Sequence, residues 1–148
     1  MSLQTVACDV GASPAFTLPV RVYWEDTDAG GIVFYANYLK FFERARTEWL
    51  RSLGIEQQCL RDQTGGMFVV SETCIKYHRP AHLDDLLSVT VDLKETGRVS
   101  LTLVQSSLLN NKQICQGTIR IGWVDATSLK PARIPATVLA ALSPTSSH

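Results

Sequence analysis

Residues 25–46 read EDTDAGGIVFYANYLKFFERAR, and two kinds of chain meet inside them. The first seven, Glu25 to Gly31, hold three carboxylates and two adjacent glycines. Such a run cannot lie in a strand core; it is a loop with wide backbone freedom. From about Tyr35 to Leu53 the apolar residues fall at three- and four-residue steps: Leu39, Phe42, Ala45, Trp49 and Leu53. Lys40, Glu43, Arg44, Thr47, Glu48 and Arg51 occupy the other faces. This pattern predicts an amphipathic helix of about five turns. Asn37 is placed to cap it and Gly54 to stop it. Glu43, Arg44, Glu48 and Arg51 offer pairs three or four apart, worth a few tenths of a kcal/mol each, or about 0.2–0.5.

Outward from this loop and helix, the period changes to two. On the N-terminal side, Leu18, Val20, Val22 and Trp24 alternate with polar or turn-favouring residues, which predicts a strand over Phe16 to Trp24 with Pro19 near its start. On the C-terminal side, Met67 to Arg79 reads as a strand ended by Pro80. Leu87, Val89, Val91 and Leu93 form a half-buried strand, turned back at Thr96-Gly97. Val99, Leu101 and Leu103 continue, and Asn110-Asn111 reads as a hairpin turn. Ile114 to Val124 closes the series, with Gly117 and Gly122 marking bulges or close backbone contacts. A short helix is placed near Pro135 to Leu142. The order is strand, long helix, then four strands expected as an antiparallel meander. The fold class is α+β, with one long helix against one curved face of about five strands. The arrangement leaves sheet edges to protect, and pairing of two chains would do so.

The chain has 148 residues, the length of one domain. Residues 16–142 are taken as that domain, 1–15 as a loose arm and 143–148 as a loose tail. Lys+Arg and Asp+Glu both count 14, so broad electrostatic binding of nucleic acid is disfavoured. No apolar run approaches the ~20 residues of a membrane span. The first residues, MSLQTVACDVGASPAF, lack a basic leader and an apolar core, so no secretory signal is read and a cytoplasmic location is expected. Cys8, Cys59, Cys74 and Cys115 form neither a CxxC pair nor a disulfide framework, and read as free thiols of a reducing compartment.

The loop of residues 25–31 is the candidate for chemistry. The start of a helix presents free N–H groups and a positive dipole end, which favour anions and developing oxyanions. Asp28 lies seven residues before Tyr35, on the loop feeding that end. A carboxylate there can face a carbonyl whose oxygen is held by backbone N–H groups, the arrangement acyl transfer needs. It can attack directly or orient a water. By composition alone, an Asp/Gly loop before a helix is ordinarily a turn with a capping carboxylate.

The sequence VRVYWEDTDAGGIVFYANYLKFFERAR resembles the acyl-CoA thioesterases of the hotdog fold, most closely the branch found with bacterial Tol-Pal envelope genes and more distantly the 4-hydroxybenzoyl-CoA thioesterases. A weaker match at KYHRPAHLDDLL, Lys76 to Leu87, and the strand order extend the resemblance over about residues 16–142. It implies that Asp28 is the catalytic aspartate and that the N–H of Tyr35 polarises the thioester carbonyl. It implies that Gly30 and Gly31 let the loop approach substrate, and that Arg98 and Lys130 bind the phosphates of coenzyme A. Solvated turn charges remain the plain reading of those two. Tyr35 stands where the Tol-Pal branch often has histidine and the 4-hydroxybenzoyl branch tyrosine; Trp24 stands where tyrosine is common. The resemblance further implies a homodimer with its site at the subunit interface, or a tetramer built from dimers.

Other constellations are weaker. Cys74, His78 and His82 are spaced by four but fall on a strand and past Pro80, which scatters them, so no metal is expected. There is no G-x-S-x-G elbow, P-loop or dinucleotide fingerprint. Glu25 and Asp26 support Asp28. Phe41, Phe42 and Trp49 are read as core. The expectation is a cofactor-free thioester hydrolase acting on an acyl-CoA. The rivals are hydrolysis of an aromatic (benzoyl- or naphthoyl-type) acyl-CoA, and a non-catalytic module that binds acyl-CoA or an acyl-carrier protein.

Overall fold

The computed structural model describes residues 16–142, so the arm at 1–15 and the tail at 143–148 lie outside the described residues. The long helix α1 (Tyr38–Ser52) buries Tyr38, Phe41, Phe42, Ala45, Trp49 and Leu50 in one stripe. Phe41, Phe42 and Trp49 are core, as the sequence reading has them. At about 1.5–3 kcal/mol for each large apolar side chain removed from water, this stripe is a principal source of stability. Leu39 and Leu53, expected on the same face, are instead 43% and 37% exposed. Leu39 lies in the first turn of the helix and Leu53 follows its last helical residue, so both stand at the ends of the buried stripe. Gly54 ends the helix as expected, at φ +84°. Its N–H reaches the Arg51 carbonyl, and the N–H of Ile55 reaches that of Leu50. Among the predicted ion pairs, Glu48 and Arg51 meet at 3.4 Å. Arg44 lies over the Phe41 ring instead, and Glu43 accepts from the Thr47 hydroxyl.

Around α1 wraps a five-stranded antiparallel sheet of β1 (Phe16–Arg21), β2 (Gly66–Tyr77), β3 (Leu86–Thr96), β4 (Ser100–Leu109) and β5 (Lys112–Asp125). Its spatial order is β1-β3-β4-β5-β2. Leu87, Val89, Val91, Leu101, Leu103, Ile119 and Ile121 face the helix and are buried. Asn110 and Asn111, at φ 51° and 66°, make the two-residue turn whose positive-φ backbone matches the right-handed twist of the flanking strands. The short helix α3 (Ala136–Leu142) follows.

The expected meander holds for β3, β4 and β5 only. β2 pairs with β5, not with β3. The physical reason is the connection: residues 78–85 are too many for a tight hairpin and are bonded elsewhere. His78 and Arg79 both donate to the Ile114 carbonyl, which ends β2 at Tyr77 rather than Arg79. Val33 donates to Ala81, and Val22 and Asp84–Asp85 exchange backbone bonds. β1 likewise ends at Arg21, before the expected Trp24. The Asp26 carboxylate takes the Tyr23 N–H, the chain turns over Trp24–Asp26, and the Trp24 ring is exposed. A helix absent from the sequence reading, α2 (Gln57–Thr64), has no buried residue and so no apolar stripe to announce it.

Gly117 is a site of close approach: a Cβ there would lie 3.2 Å from the Phe42 ring. Gly122 needs no such explanation, its nearest neighbour being the Val99 carbonyl at 3.8 Å. The tighter position is Gly66, where a Cβ would fall 2.4 Å from the Trp123 indole. Gly66→Ala therefore forces the indole off its edge-on contact with Phe68. The expected cost is about 2–3 kcal/mol, read as a drop of about 5–10 °C in thermal midpoint. An unchanged melting curve would contradict this packing.

Candidate active site

Asp28 stands on a loop closed at several points. Thr27 and Val33 form a bridge, the Asp28 N–H donates to the Ile32 carbonyl at 2.9 Å, and the Gly31 N–H donates back to the Asp28 carbonyl at 3.0 Å. Gly31 sits at φ +81°, which a side chain would strain. The Gly30 N–H donates to Asp28 Oδ1 at 2.9 Å, and a Cβ on Gly30 would lie 3.3 Å from that oxygen. The two glycines thus turn the loop and leave room for the carboxylate, which is otherwise exposed. Ile32 bridges His82, and Leu83 donates to the Gly31 carbonyl, so the loop is tied to the connection after β2.

Past Val33 the chain enters a 3-10 turn, Tyr35–Asn37, that leads into α1. N–H groups at the start of such a turn have no carbonyl behind them and keep partial positive charge. The Tyr35 carbonyl accepts from Tyr77 Oη at 3.0 Å, and the Tyr35 ring packs beside Phe34 and edge-on to Tyr77. Tyr38 Oη accepts from the Ala81 N–H. Burial pushes the Tyr38 phenol up to about 12 and raises that of Tyr77, so neither brings a negative charge to the helix start at neutral pH.

Asn37 corrects the sequence reading. Its side chain makes no capping bond to the helix. It donates instead to Asp26 Oδ1 at 2.9 Å, because a buried carboxylate draws the stronger, charge-assisted bond. Asp26 is 2% exposed, while Glu25 faces solvent. The role of Asp26 carries no sequence signal that distinguishes it from its two acidic neighbours.

Arg98 and Lys130 lie elsewhere. Arg98 is on the turn after β3, the end opposite residues 82–85 that hold the Asp28 loop. An eleven-residue strand separates those ends, a distance of roughly 30 Å. The Arg98 carbonyl accepts from the Ile134 N–H, and that of Lys130 from the Asp125 N–H. Beside Arg98 opens a surface pocket of about 380 Å³ lined by Arg98, Arg133, Ile134, Pro135, Ala136 and Leu139. Arg133 was not anticipated; its nearness to Arg98 arises only when the chain after β5 returns to the β3–β4 turn. One chain therefore does not bring the carboxylate and the basic residues together. A second pocket, of about 420 Å³, lies at the far end of α1 between α2 and α3 and includes Cys59 and Glu56. Cys59, Cys74 and Cys115 are free thiols. Among the described residues, no group of three His, Cys, Asp or Glu side chains is placed to hold a metal ion, and no helix is long and apolar enough to cross a membrane.

A sheet wrapped round one long helix, with a carboxylate loop leading into the helix start, fits a known class: the chain belongs to the thioesterase-like superfamily, whose profile matches residues 22–142. It is 44% identical over 126 residues to the acyl-CoA thioesterase YbgC of Haemophilus influenzae, covering 85% of this chain and 93% of that one. Among solved structures, it superposes on a hypothetical protein from Aquifex aeolicus with a TM-score of 0.81 at 31% identity, covering 86% and 99%. A probable thioesterase from Bartonella henselae gives a TM-score of 0.76 at 31% identity, covering 80% and 98%. The hotdog fold implied by the resemblance, and the α+β class read from the element order, are thus the fold observed.

Proposed function

We propose that this protein hydrolyses the thioester of an acyl-CoA to free CoA and a carboxylic acid. The observation that carries the reading is the Asp28 loop set before the helix start at Tyr35, in a chain 44% identical to an acyl-CoA thioesterase. The Tyr35 N–H would hold the carbonyl oxygen as it becomes an oxyanion. Asp28 then acts in one of two ways. As general base it takes a proton from the water that attacks the carbonyl carbon, and the C–S bond breaks to release CoA. As nucleophile its own oxygen attacks, CoA leaves, and water hydrolyses the resulting anhydride.

The site is completed by a second copy of the chain. β2 is a twelve-residue edge strand. An open edge of that length invites pairing, whereas the other edge, β1, is six residues long and holds Pro19. A two-fold axis that pairs β2 with itself runs the two strands antiparallel. The Tyr77 end, which touches Tyr35, is then beside the other copy's Gly66 end. That end carries the Asp125–Lys130 turn and the Arg98–Arg133 pocket. Arg98, Arg133 and Lys130 of one protomer would take the CoA phosphates, while Asp28 of the other meets the thioester. A dimer is the minimum active unit, and two dimers can form a tetramer. The free thiols support a cytoplasmic setting. A carrier-protein ester would enter by the same pantetheine arm. The kinship with the Tol-Pal-associated branch rests on the loop-and-helix motif.

The test is release of free thiol from short-chain, long-chain and aromatic acyl-CoAs. Turnover is expected on at least one, and the preferred ester names the acyl class. Binding of acyl-CoA with no thiol released from any ester would overturn the enzyme reading in favour of a binding module.

A further inference from the structure

We propose that Asp26 and Asn37 are positioning residues that fix the Phe34–Tyr35 peptide, and with it the Tyr35 N–H, relative to Asp28. The inference rests on the reading of Asp28 and the Tyr35 N–H as the reaction centre. It goes beyond that reading by assigning a task to the second aspartate of the loop.

The bonds form a closed ring. The Asp26 carbonyl accepts from the Phe34 N–H at 3.1 Å. The Phe34 carbonyl accepts from the Asn37 N–H at 2.7 Å. The Asn37 side-chain amide donates to Asp26 Oδ1 at 2.9 Å, and the second carboxylate oxygen accepts from the Tyr23 N–H at 2.8 Å. The carbonyl of Phe34 and the N–H of Tyr35 belong to one planar peptide, so fixing the first aims the second. Both side chains are buried, Asp26 at 2% and Asn37 at 7% exposure, so their bonds face little competition from water. Asp26 is also two residues from Asp28, with the Thr27–Val33 bridge between them. The ring thus ties the loop that carries the carboxylate to the turn that carries the proposed oxyanion donor. An orphaned partner would be costly here, since a buried carboxylate without its donor must find another or shift the backbone.

The test exchanges the pair. Asn37→Asp sets two carboxylates face to face and opens the ring. In Asp26→Asn combined with Asn37→Asp, the new amide donates to the new carboxylate while its oxygen still accepts from the Tyr23 N–H. The single variant is expected to lose about 10- to 100-fold in kcat, with KM for the acyl-CoA changed by less than about threefold, because a displaced donor costs rate rather than CoA affinity. The exchanged pair should recover kcat to within about fivefold of the parent. A purely structural role would restore the thermal midpoint in the exchanged pair without restoring kcat, or leave the kcat of Asn37→Asp unchanged; either result overturns the proposal. Should the exchanged pair not fold, Asn37→Ala decides: a kcat loss below about threefold overturns the proposal, and a larger loss at unchanged KM supports it. Asp28→Asn in the same assay separates the two levels. If parental turnover does not depend on Asp28, the reaction centre itself is misassigned. If it does and the Asn37 variants keep their kcat, only the positioning role fails.

Discussion

Asp28→Asn is expected to lower thioester turnover by about 10²- to 10⁴-fold, the range associated with removing a positioned acid–base group. The substitution is close to isosteric. Its side-chain oxygen can still accept from the Gly30 N–H, so the loop keeps the 2.9 Å bond that turns it. What is lost is the negative charge and the basic lone pair. The side chain is exposed and has no buried partner. Thermal stability should therefore move by no more than about 0.5 kcal/mol. KM should change little, because the CoA contacts are assigned to the other protomer. The measurement is kcat and KM by thiol release, with dimer content checked by light scattering. Turnover indifferent to Asp28→Asn would remove this aspartate from the mechanism.

The second large effect concerns where the site is assembled. Arg98→Glu with Arg133→Glu should raise KM for acyl-CoA at least tenfold, since opposite charge at a phosphate site repels where it formerly attracted. Alone, that result would not say which chain supplies the arginines. Co-expression with Asp28→Asn does. If each site joins Asp28 of one protomer to the arginines of its partner, a mixed dimer has one site with both defects and one with neither. With random pairing, half of the dimers are mixed and half of their sites are intact, so about a quarter of parental activity returns at low substrate concentration. If both sets came from one chain, every site of a mixed dimer would carry a defect. Activity would then stay at the average of the two variants. The strand-length separation between Arg98 and the Asp28 loop leads us to expect recovery.

Much of this architecture was legible before any coordinate. The change of period at Tyr35, the alternation in Leu87–Leu93 and the paired asparagines at 110–111 are local signals, because helix stripes, half-buried strands and left-handed turns each need particular residues at fixed spacing. The loop at 25–31 was legible for the same reason, and its motif pointed to the family. Local signals failed where a side chain or a connection bonds outside the periodicity of its own element. Trp24 has the right spacing for the strand, yet a carboxylate two residues later turns the chain before it. Asn37 is a good capping residue by type, yet the same carboxylate takes its amide. β2 reads as the first strand of a meander, but its neighbour is set by where the connection at 78–85 is bonded.

The sequence by itself determined the long helix and the strands, though not α2, and with them the helix stop at Gly54, the hairpin turns and the placing of Asp28 on a glycine loop before a helix. All of these follow from backbone sterics and from periodicity within about twenty residues. Only the tertiary structure decided the order β1-β3-β4-β5-β2, the burial of Asp26 and the pairing of Arg98 with Arg133. It also set those arginines at the opposite end of the sheet from Asp28. Each depends on how separate elements pack together, selected by which arrangement buries the α1 stripe and satisfies the polar groups enclosed with it.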